Sequence, residues 1–138
     1  YTVKPEYAAV EGSSMYLKAG ETLSLQDTLY GLMLASGNDA AVAIAGECGG
    51  MTAFVGKMNA KAAELGLTDT HFDNPNGLPS NTHYTTAHEL AKITAAALKD
   101  PVFRQIVSTK SCTVTGQTPL SFWRPAQSAK AARSAGMR

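Results

Sequence analysis

The sequence lacks the features that mark several protein classes. Its longest apolar run covers only residues 40–45, far below the roughly 20 residues that a membrane-crossing helix needs. No secretory signal is visible. Cysteine occurs only at Cys48 and Cys112, without CxxC spacing, so one disulfide and two free thiols are both open. Charged residues make up 17% and hydrophobic residues 44% of the 138. The chain is thus too sparsely charged for a coiled coil and too apolar for disorder. No acidic residue follows Asp100. Residues 1–100 hold six Lys/Arg against eleven Asp/Glu, a net −5, and residues 101–138 hold six Lys/Arg and no acid, a net +6. That basic stretch is diffuse, and its tail beyond Trp123 has no interleaved aromatics, so no nucleic-acid partner is expected. The chain opens at Tyr1, which reads as a processed product or an excised piece.

What is present fits one compact domain. Residues 13–25, SSMYLKAGETLSL, read as a hairpin that turns at Lys18-Ala19-Gly20-Glu21, with Gly20 supplying a positive φ. Ser24 and Asp27 form a capping box. It opens a helix whose buried face is expected to carry Leu25, Leu29, Leu32 and Met33. Gly37 is expected to end that helix, and Asn38 or Asp39 to cap the next, which runs to Gly49-Gly50. A third helix is expected over residues 52–65, with Phe54, Val55, Met58, Ala62 and Leu65 as its apolar stripe and Gly66 as its C-terminal stop. Turn formers crowd residues 73–80. Thr86 and Glu89 form a second capping box, and the helix they open is interrupted by Asp100-Pro101. Residues 107–115 alternate β-branched and polar side chains and read as a strand. Residues 124–138 contain no Leu, Ile, Val, Phe or Tyr and are expected to form a disordered basic tail.

Several groupings mimic chemistry. His88-Glu89 opens like a zinc-protease motif, but Lys92 stands where the second histidine belongs. His71 and His83 share no ligand spacing with Cys48, so no metal is expected and lone hydrogen-bonded histidines are the simpler reading. Ser36-Gly37-Asn38 sits at a helix–helix corner. There a hydroxyl can relay a proton, and a carboxamide can donate to and accept from a peptide group. The same three residues can equally be plain helix caps.

The order of the segments carries more. Residues 13–45, then FVGKMNAKAAELGLTDTHFDNPNGLP, then HYTTAHELAKITAAAL resemble the serine-type D-alanyl-D-alanine carboxypeptidases, the low-molecular-mass penicillin-binding proteins. The resemblance covers roughly residues 1–123. It implies the α/β (α+β) serine β-lactamase/transpeptidase-like fold, with this chain as its helical lobe plus a β-hairpin and one or more sheet strands. Residues 1–123 would be part of the catalytic domain, and residues 124–138 a tail outside the pattern. Of the family's motifs SxxK, SxN and KTG, the chain matches SxN alone. The resemblance implies that Ser36 passes a proton towards the leaving D-alanine amine and that Asn38 holds the acyl-side amide of the substrate. Gly37 and Asp39 fall where residues shape the corner. No serine has a lysine three positions later, and Val114-Thr115-Gly116 lacks the lysine of KTG.

The implied partners are a peptidoglycan stem pentapeptide ending in D-Ala-D-Ala and, for the intact enzyme, β-lactam antibiotics. No cofactor is implied. The expected site of action is extracytoplasmic, with a membrane anchor only outside this chain. The chain is expected to come from a truncated or shifted reading frame, or to be a cut fragment. Alone it is expected to be inactive, to expose apolar surface and to be marginally stable or self-associating. The alternatives are a serine β-lactamase fragment and a non-catalytic peptidoglycan-binding module.

Overall fold

The structure, a computed structural model, describes residues 1–114 and the backbone of residues 120–122. Six helices and one short strand pair follow in chain order. They are α1 Pro5–Ala8, α2 Leu25–Ala35, α3 Asn38–Glu47, α4 Met51–Glu64, α5 Ala87–Ala97, α6 Pro101–Ser108, β1 Cys112–Val114 and β2 Leu120–Phe122. The strands pair antiparallel, Cys112 opposite Phe122 and Val114 opposite Leu120. Among the described residues no helix is long and apolar enough to cross a membrane. The expected tail and residues Thr115 and Gly116 of the KTG-like tripeptide lie outside the described residues.

The centre of the lobe is α3. Its sequence NDAAVAIAGE has charges only near its two ends, and the small alanines let neighbouring helices approach closely. Ala40, Ala43 and Ala45 are completely buried, with α1, α2 and α4 packed around them. Val3, Tyr7, Met15, Leu17, Leu23, Tyr30, Leu34, Ile106 and Val114 complete the core. Burying one such large side chain is worth about 1.5–3 kcal/mol.

Ser24 caps α2 as expected, although Asp27 engages the Ser24 hydroxyl rather than its backbone amide and the box does not close. Ser24 Oγ accepts from the Asp27 amide at 3.0 Å and donates to its carboxylate at 2.8 Å. The predicted face of α2 is rotated, however. Leu25 and Met33 are exposed, and Thr28, Tyr30, Gly31 and Leu34 are buried. Gly31 admits the Met15 side chain, whose sulfur would lie 2.3 Å from a Cβ there. A residue without a side chain therefore defines the packed face, and hydrophobicity alone misplaced it. On α4 the stripe holds in direction but only Ala62 is fully buried, the other four members being half-buried. Gly66 takes φ 69°, and the Leu67 amide closes back on the Ala62 carbonyl at 3.0 Å.

Two further expectations fail for identifiable reasons. The turn at residues 18–21 exists, with Gly20 at φ 87° and the Glu21 amide on the Lys18 carbonyl. Its hairpin does not. Residues 20–23 pair instead with the N-terminal residues 1–3, as the Val3 amide meets the Glu21 carbonyl at 2.8 Å and the Leu23 amide meets the Tyr1 carbonyl at 3.1 Å. The predicted strand over residues 107–115 shrinks to β1. Asp100 accepts from the Val102 and Phe103 amides, and Pro101 begins α6. Together they start a new helix that consumes residues 107 and 108. Cys48 and Cys112 are free thiols.

Candidate active site

The chain reverses between α2 and α3 at Ser36-Gly37-Asn38. The sequence suggested Gly37 as the left-handed cap, but Ser36 takes that conformation (φ 55°, ψ 41°) and Gly37 is extended (φ −69°, ψ 110°). The glycine is needed for space. A Cβ on Gly37 would stand 2.9 Å from Asp39 Oδ1, 3.2 Å from Ala40 Cβ and 3.3 Å from the Met15 nitrogen. A left-handed serine is a costly conformation that persists only where its surroundings fix it. Here the Ser36 and Gly37 amides both close on the Gly31 carbonyl. The Ser36 side chain is exposed, and its hydroxyl makes no hydrogen bond to the described residues.

Asn38 and Asp39 are helical residues of α3 that follow a Gly37 cap without a side-chain cap bond, so neither is the cap expected from sequence. Asn38 is only 9% exposed. Its backbone amide donates to the Ser13 carbonyl and its Nδ2 to the Glu11 carbonyl, each at 2.8 Å. Its Oδ1 accepts nothing from the described residues. A Cβ on Gly12 (φ 92°) would fall 2.4 Å from Asn38 Nδ2, so the approach of residues 11–17 to the corner requires glycine there.

Asp39 is 1% exposed and its carboxylate is saturated. Oδ1 accepts from the Met15 and Ala40 amides at 3.0 and 2.9 Å, and Oδ2 from the Leu17 amide at 3.0 Å and Ser14 Oγ at 2.6 Å. Ser13 Oγ in turn donates to the Ser36 carbonyl. The sequence reading placed Ser36 and Asn38 correctly at one corner. It missed residues 11–17 as the strap that holds them, although Gly12 followed by two serines was a usable signal.

The His/Asp/Asn-rich segment is a different kind of structure. The His71 and Tyr84 backbones pair through both amides, and His71 Nδ1 lies 2.8 Å from the Thr82 carbonyl. The Asp73 amide donates to His83 Nδ1 at 3.0 Å. Asn59 clamps both backbone groups of Phe72, and Asn74 Oδ1 accepts from the Gly77 and Leu78 amides. Thr86 Oγ1 caps α5 by accepting from the Glu89 amide at 3.1 Å. The Glu89 carboxylate does not close the expected box. Buried to 5% exposure, it accepts from the Thr68 and Asp69 amides and the Thr70 hydroxyl. The Thr70 hydroxyl above all, and then the two amides, hold its carboxyl below the usual carboxylate range. The Ser80 and Thr82 hydroxyls do the same for Asp73.

Among the described residues no group of three His, Cys, Asp or Glu could hold a metal ion. A cavity of about 310 Å³ between α2, α5 and α6 is lined by Met33, Leu34, Thr94, Leu98, Phe103 and Val107. Its sole polar side chain, Thr94, is spent on the Leu90 carbonyl. Neither feature offers an uncommitted hydroxyl and carboxamide side by side, as the corner does.

The lobe has the fold of penicillin-binding proteins and DD-transpeptidases. A penicillin-binding protein homolog from Mycobacterium tuberculosis superposes with TM-score 0.86 at 34% identity, covering 95% of this chain and 51% of that one. The family model described as D-alanyl-D-alanine carboxypeptidase matches residues 2–132, and the chain belongs to that family. It is 41% identical to a D-alanyl-D-alanine carboxypeptidase of Streptomyces sp. (strain K15) over 73% of its length, and 38% identical to the carboxypeptidase DacF of Bacillus subtilis over 84%. It spans 37% and 30% of those two relatives.

Proposed function

We propose that this chain supplies the SxN corner of a serine D-alanyl-D-alanine carboxypeptidase. That enzyme removes the terminal D-alanine from peptidoglycan stem pentapeptides outside the cytoplasmic membrane. The observation that carries the reading is the contrast within one corner. The Ser36 carbonyl, the Asn38 amide and Nδ2 and both Asp39 carboxylate oxygens are committed, whereas Ser36 Oγ and Asn38 Oδ1 have no partner among the described residues. An exposed hydroxyl held in a left-handed backbone has little structural use and is well suited to passing a proton.

In the proposed reaction a serine from SxxK attacks the penultimate D-alanine carbonyl. The C–N bond breaks, Ser36 relays the proton that the departing D-alanine amine takes up, and water then hydrolyses the acyl ester. Asn38 Oδ1 is the acceptor for a substrate N–H. The sequence holds no SxxK serine, and without a nucleophile there is no acyl-enzyme. The chain alone is therefore expected to form no penicilloyl adduct.

The test starts with the DNA of the parent locus, read through both ends of these 138 residues, followed by fluorescent-penicillin labelling of each product. SxxK upstream and KTG downstream, with labelling of the longer product only, support the proposal. Covalent labelling of the 138-residue chain refutes its account of this chain. A locus with neither motif, together with stem-pentapeptide binding but no hydrolysis, favours the non-catalytic module.

A further inference from the structure

We infer that Asp39 is a positioning residue for the Ser36/Asn38 corner and acts through the strap formed by residues 11–17. This rests on the proposed role of the corner and adds the element that sets its geometry.

The argument begins with one carboxylate and two amides. Met15 N–H and Leu17 N–H, two residues apart, both point at Asp39. In an extended strand alternate amides point the same way, but they lie too far apart to converge on one small anion. Convergence requires the residue between them to turn over, as in backbone nests that bind anions. That residue is Tyr16, at φ 65°, a genuine outlier for a bulky side chain. Its amide is turned onto Ser14 Oγ at 2.8 Å, and Ser14 Oγ also donates to Asp39. Tyr16 is 75% exposed, so its own packing does not hold it there. The strained strap conformation depends on the Asp39 carboxylate.

The strap passes that constraint on. Its Glu11 and Ser13 carbonyls take the side-chain and backbone N–H groups of Asn38, and Ser13 Oγ holds the Ser36 carbonyl. Three contacts at the corner therefore come from a segment that Asp39 shapes, and Asp39 itself lies one residue beyond Asn38. Gly37 and Gly12 provide the clearance for both sides to meet. A neutral carboxamide at position 39 cannot reproduce this. Its oxygen can accept two of the four hydrogen bonds, and its NH₂ would face another donor.

The test uses the 138-residue chain, with amide hydrogen exchange and the Asn38 carboxamide resonances followed by NMR in wild type, Ser14→Ala and Asp39→Asn. Ser14→Ala removes one hydrogen bond to the carboxylate and the acceptor of the Tyr16 amide, and keeps the core. It should raise exchange at Leu17 and Asn38 about tenfold and shift the Asn38 carboxamide, with exchange in α4 and α5 unchanged. Asp39→Asn should give the larger change at the same positions. Uniformly faster exchange across all helices, or an unaltered Asn38 signal in a folded Ser14→Ala chain, overturns the inference. If Asp39→Asn fails to fold, Ser14→Ala decides alone. A wrong carboxypeptidase reading would show instead as no labelling of the longer product and would leave these exchange rates as expected.

Discussion

Two buried carboxylates organise this lobe, and the difference between their surroundings separates scaffold from site. Glu89 reaches back from α5 and gathers the Thr68 and Asp69 amides with the Thr70 hydroxyl. Asp39 reaches out from α3 and gathers the Met15 and Leu17 amides with the Ser14 hydroxyl. Both pin a distant irregular segment to a helix start. Around Glu89 the chain is relaxed, and the histidines, Asp73 and Asn74 nearby are engaged in holding the loop together. Around Asp39 two non-glycine residues, Tyr16 and Ser36, sit at positive φ, and Ser36 Oγ and Asn38 Oδ1 have no partner among the described residues. Leftover hydrogen-bonding capacity on a strained, fixed backbone marks the candidate site better than a density of polar residues does.

That comparison can be broken experimentally. The largest effect expected is from Asp39→Ala, which orphans the buried Met15 and Leu17 amides. It should cost about 3 kcal/mol, read by urea denaturation. Glu89→Gln in α5, which loosens the hold on residues 68–70, should rank next, and its effect should depend on pH. The folded Glu89 carboxyl titrates below its unfolded value, which is about 4.3. Its stabilisation is thus fully present above that value and lost as pH falls through the folded pKa. Melting curves of wild type and variant should therefore converge in acid, and a gap that widens there would contradict the assignment. Gly31→Ala forces a methyl against the Met15 sulfur and should cost about 2 kcal/mol by overpacking. Thr86→Ala removes a plain helix cap and should cost about 1 kcal/mol. Ser36→Gly should go the other way, stabilising by about 0.5–1 kcal/mol because glycine accepts φ 55° without penalty. A loss of stability there would mean that Ser36 is structural after all.

Much of this was legible in the sequence. The order of segments carried the fold, and local signals found the α2 and α5 caps and the Gly66 stop, because those depend on residues within one turn of each other. The hairpin over residues 13–25 failed because Asp39, 22 to 24 residues away, takes the amides that a ladder would use. The face of α2 was misjudged because Gly31 contributes a hole rather than a side chain. Glu89 was assigned to a local box although its partners lie 19 to 21 residues back. Ser36 and Asn38 were legible as neighbours at one helix–helix corner, but the segment that supports them was not. Gly12 followed by two serines signals a close-packed, hydrogen-bonding turn, but nothing local says that the turn folds over a corner more than 20 residues downstream.

The most direct test of the central claim is to compare Ser36 with Ser36→Ala in a polypeptide that joins these residues to an SxxK and a KTG, measuring acylation by fluorescent penicillin and release of D-alanine. A proton-relaying Ser36 predicts that D-alanine release falls by about 10²-fold or more while the melting temperature stays the same. Undiminished release by a folded Ser36→Ala enzyme would contradict it.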